Sequence, residues 1–195
     1  DSDLPIMQEA IDILESQVKR FDRTVIDLLE LSRLDAGAGE NNVDNVHLVD
    51  LINRIMSRHG FGQVEFVHTI IQHENSGEFD DTVMLDRRRV ERILLNLLEN
   101  ARDHGGGATR VALSCVDDYF VLSVEDSGQG IALSERSRIF ERFARGTAAR
   151  LSTGSGLGLA IVQEHARSLG GIAYVENSPT GGAKFVVTIK RTVPS

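Results

Sequence analysis

The feature that most constrains this chain is a long stretch, residues 5–36, with no glycine and no proline after Pro5. Apolar residues recur along it at alternating spacings of four and three: Met7, Ile11, Leu14, Val18, Phe21, Val25 and Leu28. This heptad pattern predicts one helix of roughly 45 Å, which Gly37 would end. So long an apolar face needs a partner, and it is wide enough to favour a bundle of several helices. The alternative is that the helix packs on the rest of its own chain.

Residues 37–45 are rich in Gly, Asn and acids and are predicted to form a linker, so that 46–195 form the compact domain. Strands are predicted at 45–49, 64–71, 83–85, 110–116, 119–125, 172–176 and 184–192, and helices at 51–58, 87–104, 134–143 and 157–169. Hairpins outnumber strand–helix–strand crossovers. The predicted fold class is therefore α+β, with a long bundle-forming helix before a two-layer α/β sandwich whose sheet is mixed and mostly antiparallel.

The charge of the chain narrows the classes of partner. Its net charge is -8, and broad nucleic-acid binding relies on many Lys and Arg residues. The sequence also has no apolar run long enough to cross a bilayer. We therefore expect no nucleic-acid partner and no membrane contact by this segment.

Two asparagines stand one helical turn apart, Asn96 and Asn100, in the segment Leu-Leu-Asn-Leu-Leu-Glu-Asn-Ala. Residues at i and i+4 lie on one helix face, so both carboxamides can point at one metal ion or phosphate while the leucines face the core. Glu99 is adjacent to Asn100 but points roughly 100° away on a helix, so it is not expected to act as a base toward the same site.

Asp126 closes a predicted strand and is followed by Gly128 and Gly130. Glycines let the backbone approach a planar ligand, and a buried carboxylate can accept a hydrogen bond from an exocyclic amine such as that of adenine. Taken alone, the segment fits a plain strand-ending turn equally well.

Gly154, Gly156 and Gly158 lie where a loop enters a helix, and the free N–H groups and dipole of a helix N-terminus attract phosphates. The loop before them is polar and suits a lid. Arg142 or Arg145 is a candidate to stabilise a transferring phosphoryl group, with an ordinary surface arginine as the alternative. The nearby Phe140 and Phe143 fit ordinary core residues, and the family resemblance given below implies instead that they pack in the lid.

Taken together and in this order, these segments resemble the boxes of the catalytic domain of sensor histidine kinases, within the GHKL (Bergerat) class of ATPases. The N box spans 96–104, the G1 box 126–131, the F box 139–143 and the G2 box 154–162. The first helix resembles the second helix of that family's dimerisation and phosphotransfer domain. The resemblance divides the chain into 1–36, a partial dimerisation domain, a 37–45 linker, and 46–195, the catalytic and ATP-binding domain.

The resemblance implies ATP and Mg²⁺ as cofactors, with Asn96 and Asn100 holding the metal and Asp126 reading the adenine. It implies further nucleotide-binding positions: His104, Gly128, Gly130, Ile131, Gly154, Ser155, Gly156, Leu157, Gly158 and Leu159. It also implies phosphorylation of a histidine, relay to a response-regulator aspartate, a homodimer through a four-helix bundle, and a cytoplasmic location in an inner-membrane sensor protein.

Two departures qualify this expectation. Asp103 stands where family members often have Lys, so Arg102 or a lid arginine would have to supply the cation. None of the six histidines has the acceptor context of the family, so the acceptor helix is expected to be missing and the chain inactive alone in autophosphorylation. The alternative function is a nucleotide-gated dimerisation module or a GHKL ATPase without kinase activity.

Overall fold

The computed structural model describes residues 3–37, 42–69, 81–144, 155–179 and 181–192. The predicted long helix is confirmed as α1, Asp3–Asp35. It ends where the backbone N–H of Gly37 donates to Leu34 and where Gly37 adopts a φ of 62°. This left-handed conformation costs glycine little, so Gly37 ends the helix as its position in the sequence predicts.

The remaining elements, in chain order, are β1 (Asp44–His47), α2 (Leu48–Arg58), β2 (Glu65–Thr69), β3 (Thr82–Leu85), α3 (Arg87–His104), β4 (Ala108–Val116), β5 (Tyr119–Asp126), a 3-10 turn (Arg138–Phe140), α4 (Gly158–Ser168), β6 (Ala173–Asn177) and β7 (Ala183–Lys190). The main sheet has the order β2-β4-β5-β7-β6, and β1 pairs with β3 separately. Only β2 and β4 run parallel among the described pairs. The predicted α+β class with a mixed, mostly antiparallel sheet is confirmed.

α3 is the helix that joins the core to the candidate site. Asp86 precedes it and accepts a hydrogen bond from the backbone N–H of Arg88, which caps the N-terminus as predicted. At its other end the N–H groups of Gly105 and Gly107 both donate to Ala101. The buried face of α3 consists of Val90, Ile93, Leu94, Leu97, Leu98 and Ala101.

α2 begins three residues earlier than predicted, at Leu48. Asp81, immediately before β3, accepts a 2.8 Å hydrogen bond from the backbone N–H of Val49 through its carboxylate. Its backbone oxygen accepts from Leu48. A residue distant in the chain therefore caps this helix, and no local sequence pattern reveals such a cap. β1 is displaced accordingly and begins at Asp44, inside the predicted linker.

The predicted helix over 134–143 is wrong. Only Arg138–Phe140 form a single 3-10 turn. Glu141 is extended, and Phe143 has a φ of 61°. The backbone N–H of Phe143 donates to Gly156 instead of to a helical neighbour. Pairing with the glycine loop has therefore overridden the local tendency toward a helix.

Among the described residues, α1 packs on its own chain through the C-terminal third of the helix. Leu31 is fully buried against Leu157, Ala160 and Ile161. The heptad residues from Met7 to Leu28 remain 38–68% exposed. The alternative that α1 packs on its own domain is thus correct for the last turns and not for the heptad face. No helix in the described part of the chain is long and apolar enough to cross a membrane.

We predict that Leu97→Ala lowers the free energy of unfolding by about 2–5 kcal/mol, because it opens a cavity at a fully buried site on α3. Urea unfolding would measure this change. The matched control is Leu133→Ala, since Leu133 is 80% exposed and its loss should cost under about 0.5 kcal/mol. Equal losses in the two variants would contradict the assignment of α3 as the core helix.

Candidate nucleotide site

Asn96 lies on the half-buried face of α3 that is turned toward α4. Its Nδ2 atom donates a 2.8 Å hydrogen bond to the backbone oxygen of Arg92, one turn earlier. A Cβ added at Gly158 would lie 2.9 Å from Asn96 Oδ1. The side chain is therefore held by its nitrogen, and its oxygen faces the residue where α4 begins. Asn100 is half-buried one turn later on the same helix.

Asp126 is almost fully buried at the end of β5. Its Oδ1 atom accepts two backbone hydrogen bonds of 2.9 Å, from Gly128 and from Ala183. Oδ2 faces Gly105, where an added Cβ would lie only 2.6 Å from it. The carboxylate is thus fixed through one oxygen, and the absence of a side chain at Gly105 keeps space beside the other. This arrangement suits an amine donor such as that of adenine.

The loop after Asp126 depends on glycine for its shape. Gly130 has a φ of 74°, and a Cβ there would approach Asn177 and the backbone oxygen of Gly182 to 3.1 Å. Both the conformation and the close contact favour glycine. Ile131 is half-buried and packs against the core, whereas His104 is exposed at the last position of α3.

The second glycine loop joins the C-terminal side of the F box to α4. Gly156 has a φ of 72°, and a Cβ there would lie 2.9 Å from the backbone oxygen of Ala144. Ser155 Oγ accepts from the backbone N–H of Leu157 at 3.2 Å. Leu157 is fully buried and Leu159 is packed against the core, so these two predicted site residues contribute through packing. Gly154 lies outside the described residues.

Of the two predicted catalytic arginines, the structure describes only Arg142, which is bound to α1. Arg142 makes a 2.6 Å ion pair with Asp35 at the end of α1, and Arg145 lies outside the described residues. Of the two F-box phenylalanines, Phe140 is buried, as predicted for a residue of the core, but Phe143 is 59% exposed. The core interpretation of Phe143 is therefore wrong.

Two other polar residues near Asn96 and Asn100, Glu99 and Arg102, form contacts with other parts of the chain. Glu99 pairs with Arg23 of α1 at 2.6 Å, which agrees with the expectation that it points away from the asparagine face. Arg102 pairs with Asp103 and lies over the ring of Phe61, 5.9 Å from its centroid. Arg102 is thus engaged by Asp103 and Phe61, and its expected role as the replacement for the missing cation stays a prediction.

A polar cluster that was not predicted from the sequence lies between α1 and the domain. We call it the α1 cluster, and it consists of Asp27, Glu30, Arg92, Ser155 and His165. Arg92 binds both carboxylates, with Nε 3.0 Å from Glu30 Oε1 and Nη2 3.2 Å from Asp27 Oδ1. The Nε2 atom of His165 lies 2.8 Å from Glu30, and the Ser155 hydroxyl donates to Asp27 at 3.3 Å. A carboxylate pair on one helix is a weak signal, so the sequence alone would not have revealed the cluster.

The two carboxyl groups of the α1 cluster are perturbed in opposite directions. Burial raises the pKa of Asp27, although Arg92 and Ser155 oppose the rise. Burial also disfavours the charged form of Glu30, but hydrogen bonds from His165 and Arg92 outweigh it and lower the pKa below its ordinary value of 4.5. Ionised Glu30 therefore stabilises the docked helix, whereas ionised Asp27 is a cost of burial.

The family model described as histidine kinase-, DNA gyrase B-, and HSP90-like ATPase matches residues 85–193. This range contains the two asparagines, Asp126 and both glycine loops of the candidate site. The chain belongs to this ATPase family. The expected resemblance to sensor histidine kinases within the family is confirmed by its relatives. The Streptomyces coelicolor signal transduction histidine-protein kinase AfsQ2 is 35% identical over 187 residues, covering 95% of this chain and 33% of AfsQ2. The chain thus spans about a third of the length of the curated relatives it matches.

Solved structures of histidine kinases share the fold of this ATPase-family member. Full-length ShkA in complex with AMPPNP is 30% identical with a TM-score of 0.67, covering 89% of this chain and 36% of ShkA. The histidine kinase ThkA in complex with the response regulator protein TrrA gives a TM-score of 0.70 over 95% of this chain and 52% of that one. At 21% identity this second likeness concerns the fold alone.

We predict that Glu30→Gln lowers the free energy of unfolding at pH 7 by about 1–3 kcal/mol, because hydrogen bonds to a charged acceptor become bonds to a neutral one. A carboxyl whose pKa is lowered on folding adds stability above its unfolded value and loses it as the pH falls through the folded value. The gap between wild type and variant should therefore close as the pH falls below 4.5. Urea unfolding across this range is the measurement.

The control for this prediction is Glu15→Gln, since Glu15 forms an exposed ion pair with Lys19 on the same helix. That change should alter the free energy of unfolding by less than about 1 kcal/mol at any pH. A gap for Glu30→Gln that stays constant with pH would contradict the assignment of a stabilising charge to Glu30.

Proposed function

We propose that this chain binds Mg·ATP and transfers the γ-phosphoryl group to a histidine on a separate dimerisation helix. The observation that carries the proposal is the approach of Asn96 Oδ1 to Gly158, because it brings a candidate metal ligand to the N-terminus of α4. The N-terminus of α4 can bind phosphate, and the amide oxygen of Asn96 can bind Mg²⁺ at the same place. The family match and the relatives named as histidine kinases support the same conclusion.

The residues of this chain fit both proposed cofactors. The fixed Oδ1 of Asp126 leaves Oδ2 to accept from the adenine amino group. Asn96 and Asn100 would hold the metal through their oxygens, together with the phosphates, since Mg²⁺ is usually bound by few protein ligands and by substrate phosphates. The bound metal would neutralise the developing charge on the phosphoryl group. The AMPPNP in the related ShkA structure supports a nucleotide at this site.

Transfer to another nucleophile is favoured over hydrolysis. In the hydrolysing GHKL enzymes a glutamate stands where this chain has Asn96, and an amide cannot take up a proton from water at neutral pH. Glu99 is not a replacement, because it is bound to Arg23. Arg142 would reach a phosphate only after its ion pair with Asp35 separates.

The rest of the proposed assembly follows from the resemblance. Residues 1–36 would belong to the dimerisation domain, 37–45 would be the linker, and 46–195 would form the catalytic domain. The exposed heptad face of α1 would pair in a homodimeric four-helix bundle. The phosphate would pass to a response-regulator aspartate, for which the ThkA–TrrA complex offers a parallel in fold. The parent would be an inner-membrane sensor with this part in the cytoplasm.

The direct test mixes the chain with a separate helix that carries a histidine in the family's His-Glu or His-Asp context, together with γ-labelled ATP and Mg²⁺. The proposal expects acid-labile, alkali-stable label on that helix, and no label on a helix with His→Ala. ATP binding without any phosphohistidine would overturn the kinase reaction and leave the nucleotide-gated module as the function.

We predict that Asn100→Ala weakens Mg·ATP binding by at least about 10-fold, the loss that even outer-shell partners of a metal give when removed. Asn53→Ala is the matched control, because Asn53 is exposed on α2 and its loss should leave the affinity unchanged. Calorimetric titration of each protein with Mg·ATP measures both. An affinity in Asn100→Ala equal to that of the control would refute the metal role.

We further predict that Asn96→Glu raises the rate of ATP hydrolysis, because a carboxylate at this position supplies the general base that the amide lacks. A general base contributes about 10²–10⁴-fold in rate when fully positioned, and an imperfect one less. Release of inorganic phosphate is the readout, with Asn96→Gln as the control for side-chain length. Equal rates of ATP hydrolysis in Asn96→Glu and Asn96→Gln would contradict the explanation that the wild type lacks a general base for water at this position.

A further inference from the structure

The described residues of the turn between β6 and β7, 178–179 and 181–182, form part of the Asp126 environment, although no glycine or asparagine box includes them. The first residue of β7, Ala183, donates its backbone N–H to Asp126 Oδ1 at 2.9 Å. This is one of the two hydrogen bonds that orient the carboxylate. The position of the turn therefore decides how Asp126 is held.

The turn is pressed against the end of β5. Gly182 has a φ of 81°, and a Cβ there would lie 2.1 Å from the backbone oxygen of Asp126. Ser178 closes the turn, because its N–H donates to Gly182 and its backbone oxygen accepts from Gly181, both at 3.1 Å. No side chain other than hydrogen fits at Gly182 without moving either the turn or Asp126.

A side-chain hydrogen bond ties this turn to β5 a second time. The Ser178 hydroxyl donates to Glu125 Oε2 at 2.5 Å, and both residues are more than nine-tenths buried. Glu125 precedes Asp126, so its side chain lies on the opposite face of the strand. The turn is thus attached to both faces of the end of β5, through Glu125 on one and Asp126 on the other.

Glu125 belongs to a row of charged residues that crosses the sheet. In the strand register Glu125 lies beside Arg110 on β4 and Lys184 on β7. Each cation in turn pairs with an acid on the outer strand, Glu65 or Glu176. Directly opposed residues of opposite charge stabilise a sheet. Each of the five strands therefore contributes one charged residue to a row across the sheet in which negative and positive charges alternate. This row lies next to Asp126, at the end of β5.

We propose that Ser178 and Glu125 are positioning residues that set the specificity of this site for adenine. Their hydrogen bond fixes the β6–β7 turn, the turn fixes the Ala183 N–H, and that N–H holds Asp126 Oδ1 so that Oδ2 meets the adenine amino group. This inference rests on the proposed nucleotide function and adds to it a determinant of base selectivity outside the glycine and asparagine boxes. Neither residue contacts the nucleotide itself.

The test compares the binding of Mg·ADP with that of Mg·IDP, in which a carbonyl replaces the amino group of the base. For Ser178→Ala we expect the preference for ADP over IDP to fall about 5-fold, the loss expected for weakening one hydrogen bond to a charged group. Ser178→Thr keeps the hydroxyl and should restore the preference. Ser57→Ala, at an exposed position on α2, is the matched control and should keep the wild-type ratio.

The ratio separates positioning from general damage, because a merely structural loss weakens both nucleotides equally. Equal weakening in Ser178→Ala, or an unchanged ratio, overturns the inference. Should Ser178→Ala fail to fold, Glu125→Gln decides instead. This change keeps the hydrogen-bond acceptor but removes its charge, so the preference for ADP over IDP should fall about 2–3-fold. An unchanged preference overturns the inference. A wild-type chain that binds neither nucleotide overturns the proposed function, and the inference with it.

Discussion

Everything at the candidate site depends on the burial of one face of α3 against the sheet. Six apolar residues spaced at three and four positions make that face, and all are buried. Because this face fixes the rotation of the helix about its axis, Asn96 and Asn100 lie at its edge, where both are half-buried. The hydrophobic core thus orients the two carboxamides, and the hydrogen bond from Asn96 to Arg92 fixes which atom points outward.

Arg92 links this helix to a second region of the molecule. Its backbone oxygen holds Asn96, while its guanidinium holds Asp27 and Glu30 of α1. Two carboxylates around one arginine are costly to bury without hydrogen-bond partners, and Ser155 and His165 supply additional hydrogen bonds. The other ring nitrogen of His165, Nδ1, is buried without a hydrogen-bond partner among the described residues. The same Ser155 accepts from Leu157 just before α4. The docked end of α1 is therefore connected to both walls of the proposed phosphate site.

Local sequence signals were sufficient for the parts of the fold that local interactions determine. The capped helix α3, the β4–β5 hairpin and the end of α1 at Gly37 follow from spacing, capping residues and turn residues. The features that were missed all join residues far apart in the chain: Val49 with Asp81, Glu30 with Arg92, and Asp126 with Ala183. The predicted helix over 134–143 was wrong for a related reason, since Phe143 pairs with Gly156 across the loop.

The motif residues and their order predicted the family, but not the geometry of the candidate site. Chemistry that depends on residue type, such as an amide where a base would be needed, can be inferred from the sequence alone. The orientation of the side chains cannot be inferred in this way. The ion pair between Arg142 and Asp35 and the hydrogen bond from Ala183 to Asp126 form only when the chain is folded. These contacts decide which side chains are available to a nucleotide.

We propose that Asn96 and Asn100 hold the metal of a metal–nucleotide complex beside the N-terminus of α4. The most direct measurement replaces Mg²⁺ with paramagnetic Mn²⁺ in the presence of ATP and records the side-chain amide signals of the asparagines by NMR. We expect the signals of Asn96 and Asn100 to disappear at low Mn²⁺ occupancy, while that of the exposed Asn53 persists. Persistence of the Asn96 and Asn100 signals with ATP and Mn²⁺ bound would contradict this proposal.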